Sequence, residues 1–321
     1  MPSLSQFPDA MSDVLALIRM QGEVVCASEY SAPWSISFRG PSAHFHLVER
    51  GSVWLRVGDA DAVRLETGDL VVLPLGSGHT LSSDPVLRPV PLEIALRGAA
   101  REGTTFRLGG DGDQADLVCG RFSFAGVLAP KLLKVLPPLL HIKGRQGKPL
   151  EWLRLTSYFL VEEALHSRPG SAIMIERLLD LLLIQAIRDW GSKSGENLGW
   201  LSGLRDLSIG KALSAIHQNP AREWTVEALA AIAGSSRSAF AARFSEVVGK
   251  PPLKYVAGWR LDLAADQLRA GTARISEIAE TVGYGSEAAL TRAFKLQFGK
   301  TPGQFRRTGM APAKLPQLAT A

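Results

Sequence analysis

Hydrophobic and polar residues alternate in the first part of the chain, up to about residue 107, and this alternation predicts short β-strands. Strand-like runs rich in β-branched residues occupy three segments: 52–57, 62–65 and 69–73. Turns that contain glycine separate these runs. Several short strands at this spacing favour a sandwich or a barrel. A Gly- and Asp-rich loop at 109–113 precedes one more predicted strand around 117–124.

The pattern then changes to helical spacing, which predicts two helices over 152–166 and 173–190. The stretch between them contains Pro169 and Gly170, which end one helix and allow the next to begin. The second helix is apolar around much of its circumference. It is therefore either buried within its own domain or packed against the same helix of a second copy. A Gly- and Ser-rich stretch at 191–203 is the predicted linker.

The length of 321 residues suggests two domains, and the basic charge is concentrated in the last third. Residues 1–199 hold 20 basic and 22 acidic residues, whereas residues 200–310 hold 15 basic and 9 acidic residues, a net charge of +6. This asymmetry makes nucleic acid a candidate partner of the C-terminal part. Cys26 and Cys119 are too few and too far apart for a disulfide framework. We see no signal peptide and no membrane span, and we expect a cytoplasmic protein.

The last third contains an internal repeat at an offset of 50 residues. The segment 236–244 aligns with 286–294, and the alignment continues through Gly249-Lys250 and Gly299-Lys300. Each copy consists of a short helix, a tight glycine turn and a second helix that begins at a serine suited to N-capping. Apolar positions recur every four residues on the second helix and must face inward: Phe240, Phe244 and Val248 in one copy, and Leu290, Phe294 and Phe298 in the other.

This arrangement is typical of a helix-turn-helix, in which the second helix enters the major groove of double-stranded DNA. Arginine and lysine neutralise phosphates or reach guanine, while small side chains contact base edges. The predicted DNA-binding residues are Ser236, Arg237, Ser238, Ala242, Ser286, Glu287, Ala288, Thr291, Arg292 and Lys295. The competing interpretation of one copy alone is a helical bundle with a solvated charged face. Two copies in register on a basic segment favour DNA binding.

Residues 252–269 form the predicted connecting helix, with Tyr255, Val256, Trp259 and Leu263 facing inward. A stiff connector of this kind can hold the two recognition helices about 34 Å apart, one turn of DNA, along one face of the duplex.

The segment 224–307 resembles the double helix-turn-helix domain of the AraC family of bacterial transcriptional regulators. The second copy, 278–286 followed by Phe294-Lys295 and 299–302, carries the resemblance most closely. The first copy departs from the family pattern, because Ala242 stands where the family carries a basic or polar residue. Arg292 occupies the matching place in the second copy. Arg243 is adjacent to Ala242 but lies on another face of the helix.

The N-terminal region resembles a cupin barrel, on the pattern 68–79 that ends in His79 and on His44-Phe-His46 followed by Glu49. His44 and His46 share one face of a strand, so with His79 they are candidate ligands of a divalent metal, zinc or iron. Glu49 or Cys119 would supply a fourth ligand. The alternatives are histidines satisfied by hydrogen bonds within the barrel, or histidines that line a ligand pocket without metal.

These observations predict an α+β chain with a cupin-like β-barrel and following helices, then an all-α double helix-turn-helix domain. The predicted boundaries are a sensor and dimerisation domain at 1–190, a linker at 191–203, a DNA-binding domain at 204–308 and a flexible tail at 309–321. We expect a sequence-specific transcriptional regulator and not an enzyme. Its expected partners are operator DNA, a small-molecule or metal effector, a second copy of the chain and RNA polymerase. The competing hypotheses are a metal-dependent cupin enzyme fused to a DNA-binding domain and an architectural DNA-binding protein without sequence preference.

Overall fold

The computed structural model describes residues 10–15, 18–40, 42–102, 105–126, 128–144, 150–166, 168–193, 206–271 and 273–308. The chain divides into two compact units. One unit contains two β-sheets and three helices. The other contains the C-terminal helices together with two short helices from the first half of the chain. The predicted linker from residue 194 and the predicted tail lie outside the described residues, and the predicted domain boundaries stay predictions.

The sheet-rich unit is built from short strands, as the alternating pattern predicts. In chain order they are β1 (Arg19–Ser31), β2 (Ser35–Phe38), β3 (Ala43–Arg50), β4 (Ser52–Val57), β5 (Val63–Glu66), β6 (Leu70–Leu73), β7 (His79–Ser82), β8 (Val90–Pro91), β9 (Ala100–Glu102), β10 (Thr105–Gly109), β11 (Gln114–Ala125) and β12 (Leu140–Ile142). One sheet has the order β12-β6-β3-β11-β1-β10-β9, and the other has the order β5-β4-β7-β2-β8. The described strands thus form a barrel-like pair of sheets.

Burial along the strands explains why these segments fold as they do. Strand β4 alternates between buried Val53 and Leu55 and more exposed neighbours, the period-2 pattern of a sheet with one covered face. All four residues of β6 are buried, since this strand lies inside the larger sheet between β12 and β3. Side chains from both sheets meet in one apolar core around Val48, Leu73 and Leu81.

Three helices belong to this unit: α2 (Leu92–Gly98), α4 (Glu151–Leu165) and α5 (Ser171–Lys193). The two long helices confirm the predictions over 152–166 and 173–190. Helix α5 continues to Lys193, three residues into the predicted linker. Helix α2 lies in a region that the sequence pattern assigned to strands. It has only two turns and buries Ala95 alone, so it leaves no periodic apolar signal.

The helical unit contains the predicted repeat. Its helices are α1 (Ala10–Leu15), α3 (Ala129–Leu133), α6 (Leu207–Gln218), α7 (Val226–Ala233), α8 (Arg237–Val248), α9 (Pro252–Ala270), α10 (Ile275–Thr281), α11 (Glu287–Phe298) and α12 (Pro302–Thr308). The connecting helix predicted at 252–269 is α9. Among the described residues, no helix combines the length and the apolar character that a membrane span requires.

Candidate nucleic-acid interface and sensor cavity

The two copies of the repeat have the same local construction. Helices α7 and α8 form the first helix-turn-helix, and α10 and α11 form the second. Ser236 caps α8 by accepting a hydrogen bond from the amide of Ala239, at 3.4 Å, and Ser286 caps α11 through the amide of Ala289, at 3.2 Å. Each serine satisfies an amide that the first turn of a helix leaves without a partner. The predicted N-caps are confirmed.

Glycine makes the tight turn in each copy. Gly234 and Gly283 adopt positive φ angles of 68° and 82°. A Cβ atom on Gly283 would lie 2.6 Å from the Cα of Ala221, so a larger residue would collide with backbone as well as strain the turn.

The inward faces of the two recognition helices are buried as predicted. Phe240 and Phe244 of α8 and Leu290 and Phe294 of α11 are at most 1% exposed. Phe298 is partly buried against the same core. Because these side chains fix the rotation of each helix, they determine which residues face away from the core.

The opposite faces carry the predicted DNA-binding residues. All ten are exposed except Thr291, which is half-buried. In the first copy the guanidinium of Arg237 already has a partner, since its Nε lies 2.8 Å from Oε1 of Glu227 on α7. Both side chains are more than half exposed, so water competes with this pair.

Arg292 and Lys295 in the second copy differ from Arg237, because neither makes a salt bridge with any residue that the structure describes. Both are exposed on α11. The two copies are therefore unequal: the second offers two cations for contact with DNA, and the first offers one that is paired.

Ala242 and Arg243 follow the sequence prediction. Ala242 is exposed at the place that matches Arg292, so the first copy has no long side chain there. Arg243 is held away from that face by Asp206, with 2.9 Å between Nε and Oδ2, and by Glu246, with 3.1 Å between Nη1 and Oε2. These carboxylates raise the pKa of the Arg243 guanidinium.

The connecting helix holds the two copies together through Arg260, a residue that the sequence analysis did not single out. Its guanidinium donates to three backbone carbonyls: those of Pro220 at 2.7 Å and Arg222 at 2.8 Å, before α7, and that of Gly283 at 2.9 Å, in the turn of the second copy. One fork of donors thus fixes the spacing between the first copy and the turn of the second. No short-range pattern in the sequence indicates this role.

A buried carboxylate on the same helix forms a second junction. Asp262, 4% exposed, accepts from Nζ of Lys131 on α3 and from Nε2 of Gln297 on α11, the latter at 3.2 Å. Burial raises the pKa of Asp262, and Lys131 opposes that shift. The contact joins α3 to the connecting helix within the helical unit.

In the sheet-rich unit the three predicted histidines come together. His44 and His46 on β3 and His79 on β7 are all buried, and the ring centroid of His79 lies 5.1 Å from that of His44 and 5.0 Å from that of His46. The ring of Phe38 stacks on that of His79, with 4.7 Å between the ring centroids. His44 and His46, with Cys26 and Cys119, line a cavity of about 290 Å³ whose remaining lining is largely apolar.

A directed chain of hydrogen bonds runs through these side chains. Nδ1 of His79 lies 3.2 Å from the carbonyl oxygen of Ser77, which can only accept, so His79 donates there and its Nε2 is an acceptor. Nε2 of His46, 2.8 Å away, therefore carries a proton and donates to it. The remaining nitrogen of His46, Nδ1, is then an acceptor for the thiol of Cys119 at 3.0 Å.

Burial explains the charge states of these hydrogen-bonded side chains. Desolvation lowers the pKa of His79 to about 3 and, together with the neighbouring histidines, holds the pKa of His46 well below its usual range. Both rings are neutral at pH 7, as the hydrogen-bond directions require. Burial also raises the pKa of the Cys119 and Cys26 thiols.

In this structure His46 and His79 are joined by hydrogen bonds and are not arranged around a shared metal position. Both ring nitrogens of His46 and of His79 are occupied by hydrogen bonds, and their Nε2 atoms are closer than the roughly 3.3 Å between two ligands of a tetrahedral zinc ion. Glu49 turns to the other face of β3 and accepts from Ser157 on α4. In the described part of the chain, no group of three or more His, Cys, Asp or Glu side chains is placed to hold a metal. Metal binding by His44, His46 and His79 stays a prediction.

Both halves of the chain match known protein families. Residues 9–192 match a family described as Cupin, and residues 229–308 match one described as Helix-turn-helix domain. A putative AraC-like transcription regulator of Streptomyces lividans is 36% identical over 309 residues, which cover 95% of this chain and 100% of the relative. The HTH-type transcriptional regulator AlkR of Acinetobacter baylyi is 30% identical over 303 residues, 93% of this chain and 99% of the relative.

Proposed function

The chain belongs to the AraC-like transcription regulators, and on that premise we propose that it reads an operator with both helix-turn-helix copies under the control of its cupin-type domain. The observation that carries this proposal is the pair of recognition helices with matched serine caps and matched buried faces. Two such helices on one connecting helix suit two consecutive major grooves. Binding to DNA implies a cytoplasmic protein, and RNA polymerase is a further candidate partner.

The second copy makes the larger contribution to base readout in this proposal. Arg292 and Lys295 are exposed and have no competing carboxylate among the described residues, whereas Arg237 is paired with Glu227. Arginine recognises guanine through two hydrogen bonds in the major groove, so Arg292 is assigned to a base and Lys295 to phosphate.

The cupin-type domain acts as a sensor in this proposal and not as a catalyst. Its cavity of about 290 Å³ has room for a small molecule. The lining is mainly apolar. Its polar groups include Ser28, His46 and Cys119 together with the charged Glu93 and Arg121, which suits a small, mainly apolar effector with a polar or charged end. An effector changes DNA binding only if its affinity differs between two states of the protein.

The chain also forms a homodimer in this proposal, through helices α4 and α5. Seven large apolar side chains on these helices are between 37% and 57% exposed: Leu155, Tyr158, Phe159, Leu165, Ile173, Met174 and Leu181. Tyr158 and Phe159 lie one turn after Leu155, the spacing of a stripe that packs against another helix. A second copy presents the same stripe, as an isologous dimer requires.

Gel-shift titration with genomic fragments and competitor DNA tests the regulator against its alternatives. The proposal predicts one or a few fragments that are retained in a large excess of competitor and whose retention changes with an effector. Retention of all fragments alike would support an architectural protein instead.

Metal analysis of the purified protein tests the enzyme hypothesis. A stoichiometric zinc or iron ion together with turnover that is lost in His46→Ala would favour a cupin enzyme. Metal-free protein that still binds its fragment supports the sensor.

A further inference from the structure

Leu296 lies on the outward face of the second recognition helix, and its side chain is 91% exposed. It follows the fully buried Phe294 by two residues, which is about 200° around a helix of 3.6 residues per turn. It follows Arg292 by four residues, about 40° around the same axis, so the two side chains lie next to each other one turn apart. The face assigned to DNA therefore includes a large apolar side chain that no sequence motif indicated.

The position of Leu296 distinguishes it from an ordinary exposed leucine. Single exposed apolar side chains are common on soluble proteins and need no explanation. Leu296, however, lies on the same face as the exposed cations of Arg292 and Lys295. A surface that attracts these two cations is brought against Leu296 as well, and in this chain that surface is DNA.

We propose that Leu296 is a specificity-determining residue that packs against the C5 methyl group of a thymine in the major groove that the second copy enters, an inference that rests on the proposed function. The side chain of leucine has no charge and no hydrogen-bond donor, so a phosphate offers it no favourable contact. Among the groups that base pairs present in the major groove, the thymine methyl is the apolar one. Contact between the two removes apolar surface of both from water.

The spacing from Arg292 locates the thymine. Four residues of an α-helix rise about 6 Å. Successive base pairs are about 3.4 Å apart. The thymine that Leu296 contacts therefore lies within about two base pairs of the guanine that Arg292 is assigned to read.

The first copy has a different side chain at this place. Glu246 aligns with Leu296 at the offset of 50 residues. Its Oε2 lies 3.1 Å from Nη1 of Arg243, so this carboxylate is directed away from the face that carries Ala242. We therefore expect the thymine in the DNA site of the second copy and not at the matching place in the site of the first.

Replacement of single thymines by deoxyuridine tests the contact, because uracil pairs with adenine as thymine does and lacks only the methyl group. The probe is the DNA fragment that the full-length protein retains in competitor, with each thymine replaced in turn, and fluorescence anisotropy measures the affinity. At the thymine near the Arg292 guanine, the wild type should bind the uracil form about fourfold more weakly, the ratio for one methyl-sized group left in water. Leu296→Ala should bind the thymine and uracil forms equally.

Two further variants make the comparison specific. Leu296→Met keeps an apolar side chain of similar volume, so it should keep the preference for thymine over uracil. Leu207→Ala is the matched control, since Leu207 is a 79% exposed leucine at the start of α6, outside both recognition helices. It should respond to every uracil as the wild type does. Alanine is a good helix former and Leu296 is not part of the core, so Leu296→Ala should unfold at the wild-type temperature or above it.

Three results would overturn the thymine contact. In the first, the wild type binds every uracil form as tightly as the unmodified fragment. In the second, the sensitive thymine is equally sensitive in Leu296→Ala. In the third, Leu296→Ala binds all forms as the wild type does but no longer changes transcription by RNA polymerase, which would assign Leu296 to a protein contact.

The same titrations keep this inference separate from the proposed function. A protein that retains its fragment in excess competitor but shows no effect of uracil loses the thymine contact and remains a sequence-specific regulator. A protein that retains no fragment in excess competitor overturns both.

Discussion

Arg237 at the start of the first recognition helix is bound to Glu227 on the preceding helix, with 2.8 Å between its Nε and Oε1 of the carboxylate. The residue at the same turn of the second copy is Glu287, so the two copies present different charges at the N-terminal ends of their recognition helices. In the proposed complex, Arg237 exchanges the carboxylate of Glu227 for a DNA phosphate. The Arg237–Glu227 pair therefore reduces the contribution of the first copy to DNA affinity.

Glu227→Gln should release Arg237 and tighten DNA binding. An exposed pair of this kind stabilises the free protein by about 0–1 kcal/mol, so the gain in affinity is at most about fivefold. Fluorescence anisotropy at fixed salt measures it. Glu246→Gln is the matched control, because it removes an equal charge next to Arg243, away from the reading face. Equal gains in both variants would show that only net charge matters.

Arg292→Ala should lose sequence preference at one base pair. A bidentate contact to guanine is worth about 1–3 kcal/mol, so specific binding falls by roughly 5- to 150-fold. Lys295→Ala is the comparison, with uniform weakening and a shallower salt dependence. Binding to a panel of single-base operator variants measures both effects. If Arg292→Ala weakens every sequence alike, Arg292 contacts only phosphate.

Lys131→Met should destabilise the helical unit by leaving the buried carboxylate of Asp262 without its cation. We expect about 2 kcal/mol, below the 3–5 kcal/mol of a fully buried pair, because the side chain of Lys131 is 42% exposed. Denaturant unfolding measures the loss. The decrease in the free energy of unfolding should largely disappear in an Asp262→Asn background, because no charge is left unpaired there. A decrease of the same size in that background would show that it comes from lost packing of Lys131.

The same variant should change the dependence of stability on pH. The folded protein binds the proton of Asp262 more tightly than the unfolded chain does, because burial raises this pKa. Stability from this group is therefore greatest at low pH and falls as the pH rises above about 4 towards the raised pKa. Lys131 lowers the pKa of Asp262, so without Lys131 this pKa is higher. The decrease in stability with rising pH should then be larger and extend to higher pH.

His217 should make the helical unit sensitive to acid. Its side chain is fully buried, stacks on Trp259 at 3.9 Å between ring centroids and lies 2.8 Å from the hydroxyl of Tyr255. Burial lowers its pKa, so the unfolded chain takes up a proton that the folded protein refuses. Stability should be complete above about pH 6.5 and decline below it. His217→Gln should flatten the decline in thermal unfolding between pH 5 and 7, and an unchanged slope would exclude this histidine as its source.

Tyr158→Glu should separate the proposed homodimer. Tyr158 is 57% exposed on α4, and a carboxylate at the centre of an apolar helix contact is left without a partner. Sedimentation velocity should show the mass of one chain, against two for the wild type. Val86→Glu is the control, at an apolar side chain that is 84% exposed in a loop outside the proposed contact. A wild type that sediments as one chain at micromolar concentration would contradict the dimer.

The sequence predicted the DNA-binding half in detail because its signals are local. Ser236 and Ser286 cap the helices that follow them, and each turn depends on a glycine a few residues away. The role of Arg260 could not be predicted in this way, because its acceptors lie 23 to 40 residues distant in the chain.

The sensor half was predictable in outline only. The histidines were found as a group, but their partner depends on the pairing of β3 with β11, which sets His46 opposite Cys119. That register is fixed by the whole sheet, and no motif of a few residues encodes it. Glu49 was one of two candidates for a fourth ligand, although the alternation of strand residues places it on the opposite face from His46.

We propose that one chain reads DNA with two recognition helices in consecutive major grooves. Methylation interference tests it directly, because methylation of guanine N7 blocks the major groove. We expect two clusters of interfering guanines about 10 base pairs apart for each bound chain, and Arg292→Ala should weaken the cluster of the second copy. A single cluster that Arg292→Ala leaves unchanged would contradict it.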